Sequence, residues 1–220
     1  MSDNPFHPDF DRLPATLPLF PLPGAVVMPG CQLPLNIFEP RYLNMVFDAM
    51  AGERLIGMIQ IDAAAATANA PALYDIGTAG RIVSFSETKD GRLLIVLSGV
   101  CRYRITGEIP TTRGYRRATV DWGDFRSDYD TEHAMAFPRE RLELLLREYF
   151  AVTQLEIDWE ALTKLDDLML CNLLVGALPW EPAERQTLIE AVSLNDRIER
   201  LVGLLRFAVA PTAAGSVATH

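Results

Sequence analysis

The apolar positions of this chain follow one period in the first half and another in the second. From Leu17 to Pro40, prolines recur at positions 18, 21, 23, 29, 34 and 40. That spacing excludes a helix, because each interior proline removes a hydrogen bond and clashes with the preceding turn, and it predicts short extended pieces joined by turns. Tyr42, Met45, Val46, Ala49 and Met50 then fall at helical spacing ahead of Gly52, which predicts an amphipathic helix. Leu55 to Ile61 reads as a strand, and the alanine-rich stretch Asp62 to Ala72 as a mobile surface loop. Arg81–Glu87 and Leu93–Leu97 flank Lys89-Asp90-Gly91-Arg92, a hairpin signal whose turn needs positive φ. Val100 to Glu108 alternates Cys101, Tyr103 and Ile105 with Arg102, Arg104 and Thr106, and Tyr115 to Asp121 alternates similarly, so two half-buried strands follow.

After Trp122 the period becomes helical. Pro138 suits a first turn, and Leu142, Leu145, Leu146, Tyr149 and Phe150 repeat along one face. Leu165 to Leu178 is a second apolar helix stopped by Pro179, Pro182 opens a third through Val192, and Ser193 caps a fourth with Leu194, Ile198, Leu201, Leu205 and Ala208 on one side. Strands first and helices after them give an α+β fold with segregated elements. The expected organisation is a flexible N-terminal arm over 1–16, a β-rich lobe over 17–123, an acidic connector over 124–133, a helical bundle lobe over 134–209 and a frayed tail over 210–220.

Composition narrows the chemistry. Lysine plus arginine total 20 against 29 acids, a net charge of −9, which repels phosphate backbones and anionic lipids. Cys31, Cys101 and Cys171 are far apart and odd in number, as expected of buried thiols in a reducing compartment. The polar, acidic, proline-rich start lacks the pattern of a secretory signal, and no apolar run is long enough to span a membrane, so a cytoplasmic protein is expected.

Nothing in the sequence assembles a catalytic, metal or cofactor site. His7 lies in the arm and His220 at the last position, leaving His133 as the one histidine near a packed region, and no GxSxG elbow supplies a nucleophile for it. The isolated cysteines give none of the short spacings zinc favours. The lysines, Lys89 and Lys164, sit at a hairpin tip and before a helix, and neither follows a phosphate-cradling glycine loop. Asp158, Glu160, Asp166 and Asp167 read as helix caps rather than an acid/base pair. Arg102, Arg104, Arg113, Arg116 and Arg117, interleaved with Tyr103 and Tyr115, form the one basic cluster able to meet phosphate. The acids that follow make a solvated sheet face with cross-strand ion pairs the preferred reading.

The run Leu17-Pro18-Leu19-Phe20-Pro21-Leu22-Pro23-Gly24, continuing through Pro29-Gly30 to Leu33-Pro34-Leu35-Asn36-Ile37-Phe38-Glu39-Pro40-Arg41-Tyr42, resembles the opening of the Lon protease N-terminal domain. Ile76-Gly77-Thr78 through Ile82, Gly99-Val100-Cys101-Arg102-Tyr103-Arg104-Ile105 and Leu178-Pro179-Trp180-Glu181-Pro182-Ala183-Glu184-Arg185-Gln186 resemble later motifs of the same family in the same order. The resemblance implies a PUA-like β-barrel lobe followed by a C-terminal α-helical bundle. It also implies a non-catalytic domain that recognises unfolded or specific protein segments, without the ATPase and peptidase parts of full Lon proteases.

Under that resemblance Pro21, Gly24, Pro29 and Gly30 fix a tight path, Phe38 and Tyr42 are core anchors, and Glu39 and Arg41 orient the turn around Pro40 through backbone hydrogen bonds. A peptide site should be an apolar patch or an open strand edge, and Tyr115, Trp122, Phe125 and Phe137, near the junction of the lobes, are the candidates. The expected function is a protein-binding adaptor or chaperone-like module without cofactor, metal or membrane partner. An RNA-binding PUA-like protein using the arginine face is the alternative, with the net charge against it, and the oligomeric state is left open.

Overall fold

The computed structural model describes residues 6–67, 70–130 and 136–210. His133 and His220, the tail beyond 210 and residues 1–5 of the expected arm lie outside them. The strands are β1 (Thr16–Pro21), β2 (Gln32–Ile37), β3 (Leu55–Ile59), β4 (Ile61–Thr67), β5 (Ala70–Leu73), β6 (Ile76–Glu87), β7 (Leu93–Ile109) and β8 (Arg116–Asp121). Helix α1 (Pro40–Met50) interrupts them, and α2 (Arg139–Thr153), α3 (Trp159–Thr163), α4 (Asp167–Ala177), α5 (Pro182–Glu190) and α6 (Leu194–Val209) follow. Strands precede helices as the change of period predicts, in an α+β arrangement.

The main sheet is mixed, in the order β2-β7-β6-β3-β1-β8. β1 runs parallel to β3 and antiparallel to β8, and the other pairs are antiparallel. The second half of β7 also pairs with β8, Ile105 opposite Val120. The two runs expected as separate strands are therefore one strand of 17 residues, long enough to carry β2 on its first half and β8 on its last. Gly91, at φ 82°, turns the β6–β7 hairpin where the Asp-Gly pair places it.

Two apolar cores lie on the sheet. On one side α1 packs Tyr42, Met45, Val46 and Ala49 onto Phe20, Ile37, Ile56, Ile95 and Leu97. On the other, Leu17, Leu19, Val100, Cys101 and Tyr103 are continuous with Leu142, Leu146, Leu174, Leu188, Ile198 and Leu201 of the helices. The β-rich and helical regions thus share one core. α6 is the helix around which α2, α4 and α5 pack, and Ser193 caps it by accepting a hydrogen bond from the Asp196 amide at 3.0 Å. Asp158 and Asp166 cap α3 and α4 in the same way.

Three expectations change. The described part of Asp62 to Ala72 is strand rather than loop: Ile61 pairs with Leu73 and Asp62 with Ala72 where β4 and β5 run antiparallel, which the pattern hides because alanine marks neither face of a strand. Residues 6–16 are not a free arm, since Phe10 and Leu13 pack on the sheet–helix core and the Trp122 indole donates to the Pro14 carbonyl at 2.9 Å. The acidic connector is, as far as Asp130, a 3-10 segment over Gly123–Tyr129 that inserts the fully buried Phe125 beneath the helices.

Candidate peptide-binding groove

Buried polar side chains cross the apolar joint between sheet and helices. Arg102 is 1% exposed, although strand alternation assigns it to solvent, because the Gly123–Tyr129 segment and the end of α5 cover that face of β7. Its guanidinium pairs with Asp128 at 2.8 Å, stacks on Phe125 at 4.5 Å, and donates to the carbonyls of Ile189, Ala191 and Val192. Those carbonyls end α5, where helix geometry leaves acceptors unpaired and the dipole favours a cation. Arg197, also buried, donates to the Asn172 carboxamide oxygen at 2.5 Å, and burial pushes its guanidinium down to about 10.

The motifs carrying the family resemblance meet at this joint. Arg185 of α5 donates to the carbonyl of Gly24 and, at 2.8 Å, to that of Leu178. Asn172 of α4 donates to Pro29 at 3.0 Å. Gly30 has φ 79°, so glycine suits the left-handed backbone there, and the Met169 methyl of α4 would lie 2.6 Å from a Cβ at this position. Gln186 reaches the carbonyl of Ile76 and accepts from Gln60, while Glu181 and Glu184 close a capping box at the start of α5. The proline-glycine path is thus also a seat for the helices. Pro21 ends β1, and Pro40 is the first residue of α1.

Other signature residues differ from expectation. Tyr42 is a core residue, but Phe38 is 62% exposed, because β2 ends at Ile37 and the chain turns outward into α1. Arg41 bonds the Glu39 carboxylate at 2.9 Å rather than nearby backbone, and lies over the Tyr42 ring.

The four candidate peptide-binding aromatics do not form one surface. Tyr115 is buried on the α1 side, its hydroxyl donating to Asp48 at 2.8 Å. Trp122 is buried edge-on to Tyr103, Phe125 is enclosed under Arg102, and Phe137 is half-buried on the sheet–helix core below Arg141. Large aromatics near a junction are what a junction buries. The arginine cluster is likewise committed. Arg102 is enclosed, contrary to a solvated position, whereas Arg104 pairs with Asp124, Arg113 with Asp48 and Arg116 with Glu108 at the surface, and Arg117 donates to the Thr16 hydroxyl.

An apolar groove of about 470 Å³ opens instead on the helical side. Phe150, Leu162, Leu174 and Leu178 make its buried floor, Ile157 and Leu165 its half-buried walls, and Leu155 and Leu173 are exposed at 40% and 36%. Gln154, left-handed at φ 56°, ends α2 and turns Leu155–Asp158 back over α4. Glu156 and Asp158 are its charged lining. The sequence carries a signal for it: α4 is apolar on every face, so a face remains after packing, and Leu155 and Ile157 alternate with acids in a stretch without helical period. Among the described residues no group of three His, Cys, Asp or Glu side chains could hold a metal ion, and no helix is long and apolar enough to cross a membrane.

Comparison with known proteins agrees with this architecture. The chain is 29% identical over 203 residues to the Lon protease of Anaeromyxobacter dehalogenans, covering 89% of this chain and 23% of that protein. It is 28% identical to Lon protease 2 of Myxococcus xanthus, covering 24% of it. It therefore spans about a quarter of the length of these relatives. The crystal structure of a Lon N-terminal domain protein from Xanthomonas campestris superposes with a TM-score of 0.61 at 24% identity, over 86% of this chain and 97% of that one. The N-terminal domain of a Mycobacterium avium complex Lon protease superposes at 0.57 with 17% identity, over 90% and 99%. These structures share the fold. The family described as the ATP-dependent protease La (LON) substrate-binding domain matches residues 16–206, and the chain belongs to that family.

Proposed function

We propose that the protein is a non-enzymatic protein-binding module, an adaptor or chaperone-like factor, that holds an exposed apolar segment of a protein substrate in the groove over α4. The observation that carries this reading is a leucine-lined groove, open at Leu155 and Leu173, on a chain of the Lon substrate-binding domain family. An unfolded segment offers chiefly apolar side chains, which such a groove removes from water. The acidic lining at Glu156 and Asp158 favours segments flanked by lysine or arginine. The pairing path β7-β6-β3-β1-β8, returning to β7, supports the PUA-like barrel reading of the sheet. The RNA alternative is the weaker one, because the arginines it needs are held by Asp48, Glu108, Asp124 and Asp128.

The test is binding of fluorescent peptides with a leucine-isoleucine centre and either lysine or aspartate flanks. Saturable binding of the lysine-flanked peptide, weakened at least about tenfold (~1.4 kcal/mol) by Leu155→Ser with Leu173→Ser at unchanged thermal stability, is expected. Equal binding by the folded double variant rejects the groove.

A further inference from the structure

Residues 7–14 reach β1 across the Gly123–Tyr129 segment, and the chain joins the sheet where the Val120 N–H donates to the Ala15 carbonyl at 3.0 Å. Before it, the segment is held by side chains of the body. The Tyr129 ring meets the rings of His7 and Phe10 edge-on at 5.1 and 5.4 Å, and its hydroxyl donates to the Pro8 carbonyl at 3.0 Å. Arg126 lies over the Phe10 ring at 4.6 Å and pairs with Asp11 at 3.3 Å. Phe10–Arg12 form a single 3-10 turn, and a ring packed on the core, one carbonyl and one carboxylate are the means by which a surface reads such a turned peptide, the aromatic anchoring and the arginine selecting an acid. A cleft of about 820 Å³ continues from this place, walled by His7 to Phe10 on one side and by Gly99, Asp128 and Met169 on the other.

We propose that Arg126 and Tyr129 form a recognition slot for protein segments in which phenylalanine precedes an acid, and that Phe10-Asp11 is its tethered occupant, which such a segment must displace. Exposure of the Arg126 and Asp11 side chains, at 64% and 81%, makes the ion pair weak, and because residues 7–15 belong to no strand, Phe10-Asp11 can leave while the sheet stays paired. The slot lies apart from the leucine groove and takes the opposite charge, so the two sites fail independently.

The experiment uses the full-length chain with Phe10→Ser and Asp11→Ser and a labelled peptide of sequence FHPDFDR, read by fluorescence anisotropy. Expected is saturable binding to the variant, at least about tenfold weaker binding to the unsubstituted chain, binding weakened about tenfold when Arg126→Ala is added, and loss of binding when the peptide carries serine for its second phenylalanine. Leu173→Asp, in the leucine groove, leaves this binding unchanged. A folded variant that does not bind, or binding that ignores Arg126→Ala, overturns the proposal. Hydrogen exchange on the unsubstituted chain provides a check that needs no substitution: residues 9–14 should exchange at least about a hundredfold faster than β1, and exchange as slow as β1 overturns the proposal even if the variant fails to fold.

Discussion

The two cores on the sheet are held by different physics. On the α1 side the one helix is joined to the strands on both of its flanks by short connections, and among the described contacts none of the buried amide or charged side chains bonds to it. On the other side five helices contribute to one core with the sheet, and Gln60, Arg102, Asn172, Arg185, Gln186 and Arg197 are buried. Apolar burial is not directional, so it suffices where chain connectivity already fixes the partner. A bundle tied to the sheet by residues 123–138 could dock in several registers, and hydrogen bonds from Arg102 to Ile189, from Arg185 to Gly24 and from Asn172 to Pro29 carbonyls select one of them.

If that contrast holds, the largest loss comes from the buried clamp. Arg102→Ala leaves the Asp128 carboxylate, 4% exposed, without its bidentate partner, and urea unfolding should show a loss of about 4 kcal/mol. Met45→Ala removes a fully buried side chain from the α1 side and should cost about 3 kcal/mol by leaving a cavity. Because the cores share no partner, the double variant should be additive within about 0.5 kcal/mol. Strong coupling between them would show that the two sides are one unit.

Alkaline pH should separate the cores further. Cys31 and Cys171 lie at the joint, and burial pushes both thiols up to about 11 from their ordinary 9. An unfolded chain loses these protons first, so their contribution is complete below pH 9 and fades as pH rises from 9 through 11. Burial also raises Tyr42 and Tyr115 on the α1 side, and their contribution begins to fade only above pH 10. Arg197 acts in the opposite sense, its buried charge costing stability until it deprotonates above about 10. Between pH 9 and 10, hydrogen exchange should therefore quicken in α4 and α5 before α1, with an effect of ~1 kcal/mol. Simultaneous loosening of all three helices would count against the distinction.

What could be read in advance divides along the same line. Helix α1, the Gly91 hairpin and the caps at Asp158, Asp166 and Ser193 follow from local period and short-range hydrogen bonding, so the chain declares them. Arg102 could not be read as a core residue, because alternation reports which face of a strand a side chain takes and not what covers that face. Trp122 and Phe125 are buried rather than exposed for a partner, because hydrophobicity marks an aromatic residue equally for a core and for a binding surface. The groove had a partial signal in the all-round apolarity of α4. Its position depends on Gln154 taking a left-handed conformation, and nothing in that residue's type demands it.

That conformation supports the smallest prediction, on the side where docking rather than connectivity sets the geometry. A non-glycine residue at φ 56° is strained, by about 1 kcal/mol, and Gln154 caps α2 without a side-chain hydrogen bond of its own among the described contacts. Gln154→Gly relieves the strain and also loosens the unfolded chain, so the net gain should be no more than about 0.5 kcal/mol, visible as a small rise in the urea midpoint. Because the turn still places Leu155–Asp158 over α4, binding of a lysine-flanked apolar peptide should not change. A stabilised variant that lost binding would mean that the glutamine side chain itself takes part in the groove, and a destabilised one that the turn is held by packing of Leu155 and Ile157 rather than by the backbone at 154.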